Sequence, residues 1–531
     1  MGTLGWMIHT VEIILGLMVA TASLALLARK LDIAYPIVFV IGGLVLGFIP
    51  GLPRVRLDPE LVFLIFLPPL LYPAALFTSW RDFRANVRPI SMLAIRLVLI
   101  TTVVIAFVAH KLFGLPWAAA FVLGAIVSPP DAVAATAITK SLRIPHHLIT
   151  IIEGESLVND ATSLVIYRFA VAAVVTGTFS LAMAGLEFVF VSVGGIFVGA
   201  VIGWLASSVQ GRLDDPPVQT TLSLLTPFAA YLAADKAGAS GVLAVVTAGL
   251  YLGWRSPEII NSRTRFRVFP VWEMVVFLLN GLIFILIGLQ LPQILENLSG
   301  QSLPKLGWQA ALLNIALIFV RIAWVFAAKH LPDVFGKRPA KGTSRPNWRH
   351  TAIVAWTGMR GGDSMAAAMA LPLIVTDGSP FPGRDLILFH TFAVILVTLV
   401  LQGLSLPVII RWLRVVDDGV IEKEELRARV SAVQAALVRL NEFRGKSDER
   451  VLERLRTEYE NRIRELESAG KTGDHFGHTP QTSTYERLLS EALLAERRTI
   501  LQLRNEKIIN DEVLRRIQRD LDLAELRLTR T

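Results

Sequence analysis

No cysteine occurs among the 531 residues, so the chain holds no disulfide, no thiolate metal site and no thiol nucleophile. Charge is also scarce. Asp, Glu, Lys and Arg make up 18% of the chain, over half of it is hydrophobic, and mean hydropathy is +0.56, which excludes an ordinary soluble protein of this length. The net charge of +9 does not point to nucleic acid, because many of the basic residues lie in short loops between apolar runs. A basic n-region and a small-residue cleavage site are both missing from the first thirty residues, so the first apolar run is expected to stay in the protein. Gly-x-Ser-x-Gly is absent and no histidine neighbours Ser156, which removes the case for an intramembrane hydrolase.

What is present is a succession of apolar runs long enough to cross roughly 30 Å of hydrocarbon. Dividing them at Gly, Pro and charged punctuation predicts about thirteen helices: 11–28, 34–50, 60–78, 88–110, 116–139, 147–176, 183–208, 218–235, 239–254, 268–292, 307–328, 349–375 and 385–412. The fold class expected is an all-α polytopic membrane protein. Loops after odd-numbered runs carry eighteen Lys and Arg, against six in the loops after even-numbered runs. Because basic loops are retained in the cytoplasm, this bias places the N-terminus outside and the C-terminus inside.

Composition changes near Arg414, and the expected division is 1–414 as a membrane domain and 415–531 as a cytosolic helical domain. Helical periodicity recurs in the tail at 420–443, 450–466, 485–505 and 511–528. His475 and His478 between them are read as solvated loop residues without a metal role.

Two spans break the rule that backbone polar groups in lipid are paired internally. In the fifth, Ser128-Pro129-Pro130-Asp131 removes two N–H donors and frees the carbonyls of Ala125 and Ile126. In the twelfth, Gly358-Met359-Arg360-Gly361-Gly362-Asp363 packs three glycines and two charges into an apolar stretch. The two spans are seven apart and run in opposite directions, as related elements of an inverted repeat do. The sixth span holds Glu153-Gly154-Glu155-Ser156-Leu157-Val158-Asn159-Asp160, with Ser156, Asn159, Asp160 and Ser163 on one helical face. These are hard oxygen ligands suited to Na+, and burial of a carboxylate favours its protonated form, so H+ and the metal compete for one acid. Ser128 and the carbonyl of Pro130 are further oxygen sources beside the break. Arg168, two turns from Asp160 on the same face, is a possible member of the site. Gly195, Gly199 and Gly203 in the seventh span fit close helix packing, either within the chain or at a dimer seam.

Ser128-Pro129-Pro130-Asp131-Ala132-Val133, the 153–161 segment Glu-Gly-Glu-Ser-Leu-Val-Asn-Asp-Ala, and Gly358-Met359-Arg360-Gly361 resemble the sodium/proton exchanger family, and the resemblance covers nearly the whole membrane region. It implies two crossing broken helices, a homodimer, no cofactor beyond the transported ions, and a tail that answers to an unidentified regulator. It implies that Asp160 binds Na+ or H+, with Asn159, Ser156 and Asp131 beside it, and that Glu155 and Arg360 form a buried ion pair. The Asn-Asp pair in this family is associated with electroneutral exchange in the cell membrane. Exchange of K+, or of Li+ and K+ along with Na+, is the alternative within transport; a cation channel with a cytosolic sensor is the alternative outside it. The chain departs from the family's pattern at Pro130, where relatives often have Thr, at Pro73, where many carry a carboxylate, and at Asp363, where many have a small apolar residue. Asp363 is expected to pair with Arg360 at i+3 or else to line the ion path.

Overall fold

The computed structural model describes residues 3–50, 59–142, 144–177, 181–260, 262–298, 300–334, 347–415, 417, 419–445, 449–472 and scattered positions between 496 and 523. The chain divides into two compact units, Met1–Asp417 and Asp418–Thr531. Among the described residues there is no strand, only an isolated bridge between Ile374 and Pro380.

The first unit opens with α1 (Thr3–Leu31), α2 (Tyr35–Gly47) and α3 (Pro59–Phe77). Two short helices, α4 (Trp80–Ala85) and α5 (Val87–Ser91), lead through a π-helical stretch (Met92–Leu97) into α6 (Val98–Phe113). Then come α7 (Trp117–Val127), α8 (Ala132–Ser141), α9 (His146–Thr176), α10 (Leu181–Gln210), α11 (Pro216–Lys236), α12 (Gly241–Ile259), α13 (Ser262–Asn297) and α14 (Leu303–Val334). The unit closes with α15 (Trp348–Trp356), α16 (Gly362–Met369) and α17 (Arg384–Val397), which runs through a second π-helical stretch (Thr398–Gln402) into α18 (Gly403–Leu413). The second unit contains α19 (Val420–Asn441) and α20 (Glu449–Thr472). The loop carrying Arg54 and Arg56, the basic residues from Lys337 to Arg345, His475, His478 and nearly all of the two later tail segments lie outside the described residues.

Each of the thirteen expected runs contains helix. Among the described residues, seven helices are long and apolar enough to cross a membrane by length and composition, and α2, α7 and residues Leu64–Phe77 of α3 are shorter apolar helices. The fifth and twelfth runs fall short as single spans because each is split at its predicted break, into α7 with α8 and α15 with α16.

Small residues let helices approach closely where the fold is tightest. A Cβ added at Gly195 would come within 2.6 Å of the carbonyl oxygen of Ser240, one at Gly199 within 2.4 Å of the carbonyl oxygen of Ala244, and one at Gly203 within 3.2 Å of the Cα of Ala248. The glycine stripe of α10 is therefore a seam with α12 inside the chain, which resolves the alternative of a dimer contact. The opposite side of α10 shows Leu186, Phe190 and Phe197 at 75%, 71% and 67% exposure, as a lipid-facing surface requires. In the interior, Trp272 is fully buried, lies 5.3 Å from the ring of Tyr72 and donates to Ser223 Oγ at 3.0 Å.

Candidate ion-binding site

The two breaks meet. Helix α7 stops because Pro129 and Pro130 cannot donate to Ala125 and Ile126; the Ser128 hydroxyl donates instead to the Ala125 carbonyl at 3.2 Å. Asp131 then caps α8, its Oδ1 accepting from Val133 N at 2.7 Å. In the other break, residues 357–361 are unwound between α15 and α16. Asp131 N donates to the Met359 carbonyl at 2.7 Å, joining the two extended segments. Gly361 packs so tightly on the Asp131 carboxylate that no side chain fits there.

Arg360, 1% exposed, ties the breaks together a second time. Its Nε donates to the Val127 carbonyl at 2.9 Å and its Nη2 to the Ser128 carbonyl at 3.1 Å, while Nη1 donates to the Gly358 carbonyl. The guanidinium thus answers the unpaired carbonyls at the C-terminal end of α7, where the helix dipole is negative. The backbone nitrogen of Arg360 donates to Thr398 Oγ1 at 3.0 Å, so the second π-helical stretch supports the same unwound segment.

Helix α9 runs beside the crossing. Asn159 Nδ2 donates to the Pro130 carbonyl at 2.8 Å, whereas its Oδ1, in a residue of 0% exposure, has no hydrogen-bond partner. Ser156 Oγ accepts from Ala132 N at 3.3 Å. Asp160 is 4% exposed, and among the described residues its carboxylate has no hydrogen-bond or ion-pair partner.

Asp131, Ser156, Asp160 and Asp363 all line one cavity of about 1440 Å³. It extends from these residues to Arg29 in the last turn of α1, Asp32 just after it, Phe77 at the end of α3 and Arg411 at the end of α18. A second void, of only about 10 Å³, is bordered by Asp160 and Asp363, Ser163 and Tyr167, at the limit of room for one water molecule. Among the described residues no three His, Asp or Glu side chains close around a common point, so a cation here would draw on backbone, amide and hydroxyl oxygens as well as carboxylates.

Three of the sequence expectations are corrected. Glu155 does not pair with Arg360 but with Arg321 of α14, whose Nη1 and Nη2 donate to its two oxygens at 2.6 and 2.9 Å. Arg321 also donates to the Val354 carbonyl at 3.0 Å, and Arg360, a few ångströms away across Gly358, is already spent on carbonyls. Asp363 does not pair with Arg360 either: the i+3 spacing presumes a helix, and Arg360 precedes the first turn of α16 in extended backbone. Arg168 leaves the site for Asp235 of α11, 3.3 Å away, in an ion pair about half exposed. Arg321 carried no distinguishing signal beyond being an arginine in an apolar run.

The family model described as sodium/hydrogen exchanger, transmembrane, matches residues 16–412. An uncharacterised Na+/H+ exchanger of Mycobacterium tuberculosis is 36% identical over 524 residues, covering 97% of this chain and 96% of that protein. A sodium, potassium, lithium and rubidium/H+ antiporter of Bacillus subtilis is 34% identical over 390 residues, 71% of this chain and 58% of that protein. In fold, the chain is similar to the sodium proton antiporter MjNhaP1 of Methanocaldococcus jannaschii, with a TM-score of 0.60 at 21% identity over 75% of this chain and 99% of that one.

Proposed function

Because the chain belongs to the sodium/hydrogen exchanger family, we propose that it exchanges Na+ for H+ at Asp160, with Asn159, Ser156, Asp131 and the Pro130 carbonyl completing the cation's shell. The observation that carries this reading is the position of Asp160. It stands unpaired at the inner end of a large cavity, against the crossing of two broken helices and beside an acceptor, Asn159 Oδ1, left without a donor. A buried carboxylate and a buried carbonyl oxygen without partners are costly, and a desolvated monovalent cation satisfies both. A proton neutralises the same carboxylate, so the two ligands displace each other.

Exchange follows from the cost of moving charge through hydrocarbon. With Na+ or H+ aboard, the site can cross the barrier; emptied, it would carry bare charge, and the crossing is suppressed. The resulting cycle is alternating access, with the crossing and α9 moving against the remaining helices, and one cation exchanged per proton. The protein spans the cell membrane thirteen times, N-terminus outside and 415–531 in the cytoplasm. The cavity then faces the cytoplasm, because its far residues, Arg29, Asp32, Phe77 and Arg411, border loops on the basic side. A homodimer, and regulation through the tail, are part of the same reading.

The sodium, potassium, lithium and rubidium activity in the name of the Bacillus subtilis relative favours one second reading, broad monovalent-cation exchange at the same site. Everted vesicles test both. Adding Na+, Li+ or K+ should dissipate an imposed pH gradient with the wild-type chain and fail to do so with Asp160→Asn. Undiminished dissipation by the variant would remove Asp160 from the mechanism.

A further inference from the structure

We propose that Asp363 is a further carboxylate of the cation site, beside Asp160 and Asp131, and sets its preference for small cations, Li+ and Na+, over K+. The inference rests on the reading of Asp160 as the exchange site and adds its selectivity.

Asp363 lies in the first turn of α16, directly after the unwound segment. Asp160 and Asp363 both border the large chamber and the small void. The fold gives Asp363 nothing else to do. Its neighbour Arg360 is committed to three carbonyls, and among the described residues the Asp363 carboxylate has no hydrogen-bond or ion-pair partner. Asn159 Oδ1, buried and unpartnered on α9, is an independent oxygen acceptor suited to a cation.

The consequence for selectivity is electrostatic. Attraction to a full negative charge grows as the inverse of distance, so the ion that approaches closest gains most from an added carboxylate. Neutral carbonyl, amide and hydroxyl oxygens provide a weaker field, in which the lower dehydration cost of a large ion counts for more. A site holding only Asp160 and Asp131 among neutral oxygens would discriminate less between Na+ and K+. With Asp363 added, the smaller ions win.

The test uses the full chain in proteoliposomes and measures the apparent KM for Na+, Li+ and K+ in wild type, Asp363→Asn and Asp363→Glu. Asp363→Asn should raise the KM for Na+ and Li+ roughly tenfold and that for K+ less than about twofold, collapsing the preference, while Asp363→Glu should keep it. Asp363→Ser, which retains a neutral oxygen, gives the same reading should the amide be poorly accommodated. An unchanged Na+/K+ ratio in an active variant, or equal loss for all three ions, overturns the role of Asp363. Wild-type protein unable to exchange any of the three for H+ would instead overturn the antiport reading itself.

Discussion

Arg321 of α14 and Glu155 of α9, 166 positions apart in sequence, meet in a two-pronged ion pair at 2.6 and 2.9 Å, both side chains no more than 2% exposed. The pair fastens α14 to the helix that carries Asp160, one turn from the proposed cation site. Breaking a buried pair strands a charge in the interior, at a cost of about 3–5 kcal/mol. Arg321→Ala and Glu155→Gln are each expected to lower thermal stability in detergent and the yield of monodisperse protein more than Arg168→Ala does. Equal melting temperatures for all three variants would contradict the pairing.

Arg168 gives the complementary case. Its ion pair with Asp235 is half exposed, and such pairs contribute about 0.2–1 kcal/mol. Arg168→Ala should leave the apparent KM for Na+ within about twofold of wild type. A loss of exchange comparable to that of Asp160→Asn would return Arg168 to the site.

Gly361 has no space for a methyl group beside the Asp131 carboxylate. In Gly361→Ala either Asp131 turns aside or the unwound segment shifts, and both change the shell around the cation. Exchange is expected to fall at least tenfold while the protein remains folded, as judged by size-exclusion profile and thermal stability. Retention of full activity would show that Asp131 need not hold its position.

Asn159→Ala removes the donor to the Pro130 carbonyl as well as the free Oδ1. Leaving a buried carbonyl unpaired costs about 1–3 kcal/mol, and the cation loses a ligand in addition. The apparent affinity for Na+ should drop by roughly tenfold or more, measured as KM in everted vesicles. Asn159→Asp, which in its ionised form cannot donate to the Pro130 carbonyl, should not rescue it.

Much of this arrangement can be read from local sequence. Two adjacent prolines inside an apolar run force the break between α7 and α8, and the glycines around Arg360 force the one between α15 and α16, because the backbone chemistry involved is confined to a few residues. The common face of Ser156, Asn159 and Asp160 follows in the same way from helical periodicity. What is not legible is partner choice. Glu155 has several arginines in apolar runs to choose from, and only the packing of α14 beside α15 selects Arg321 over Arg360. The spacing of Arg360 and Asp363 misleads for a related reason: an i+3 rule holds inside a helix, and the break that makes the region distinctive also suspends the rule. The glycine stripe of α10 shows close packing in sequence without naming its partner; the seam with α12 appears only in three dimensions.

The fork of Arg360 on the Val127 and Ser128 carbonyls, together with the bond from Asp131 N to the Met359 carbonyl, makes one cradle of two helices that are far apart along the chain. In the proposed alternating-access cycle, a cradle fastened this way travels whole. An ion lodged in it meets the same set of oxygens whichever aqueous compartment it came from, so neither face of the membrane is privileged by the binding chemistry. The sign of net transport then belongs to the gradients outside the protein, and reversing them should run the machine backwards with no change in its parts.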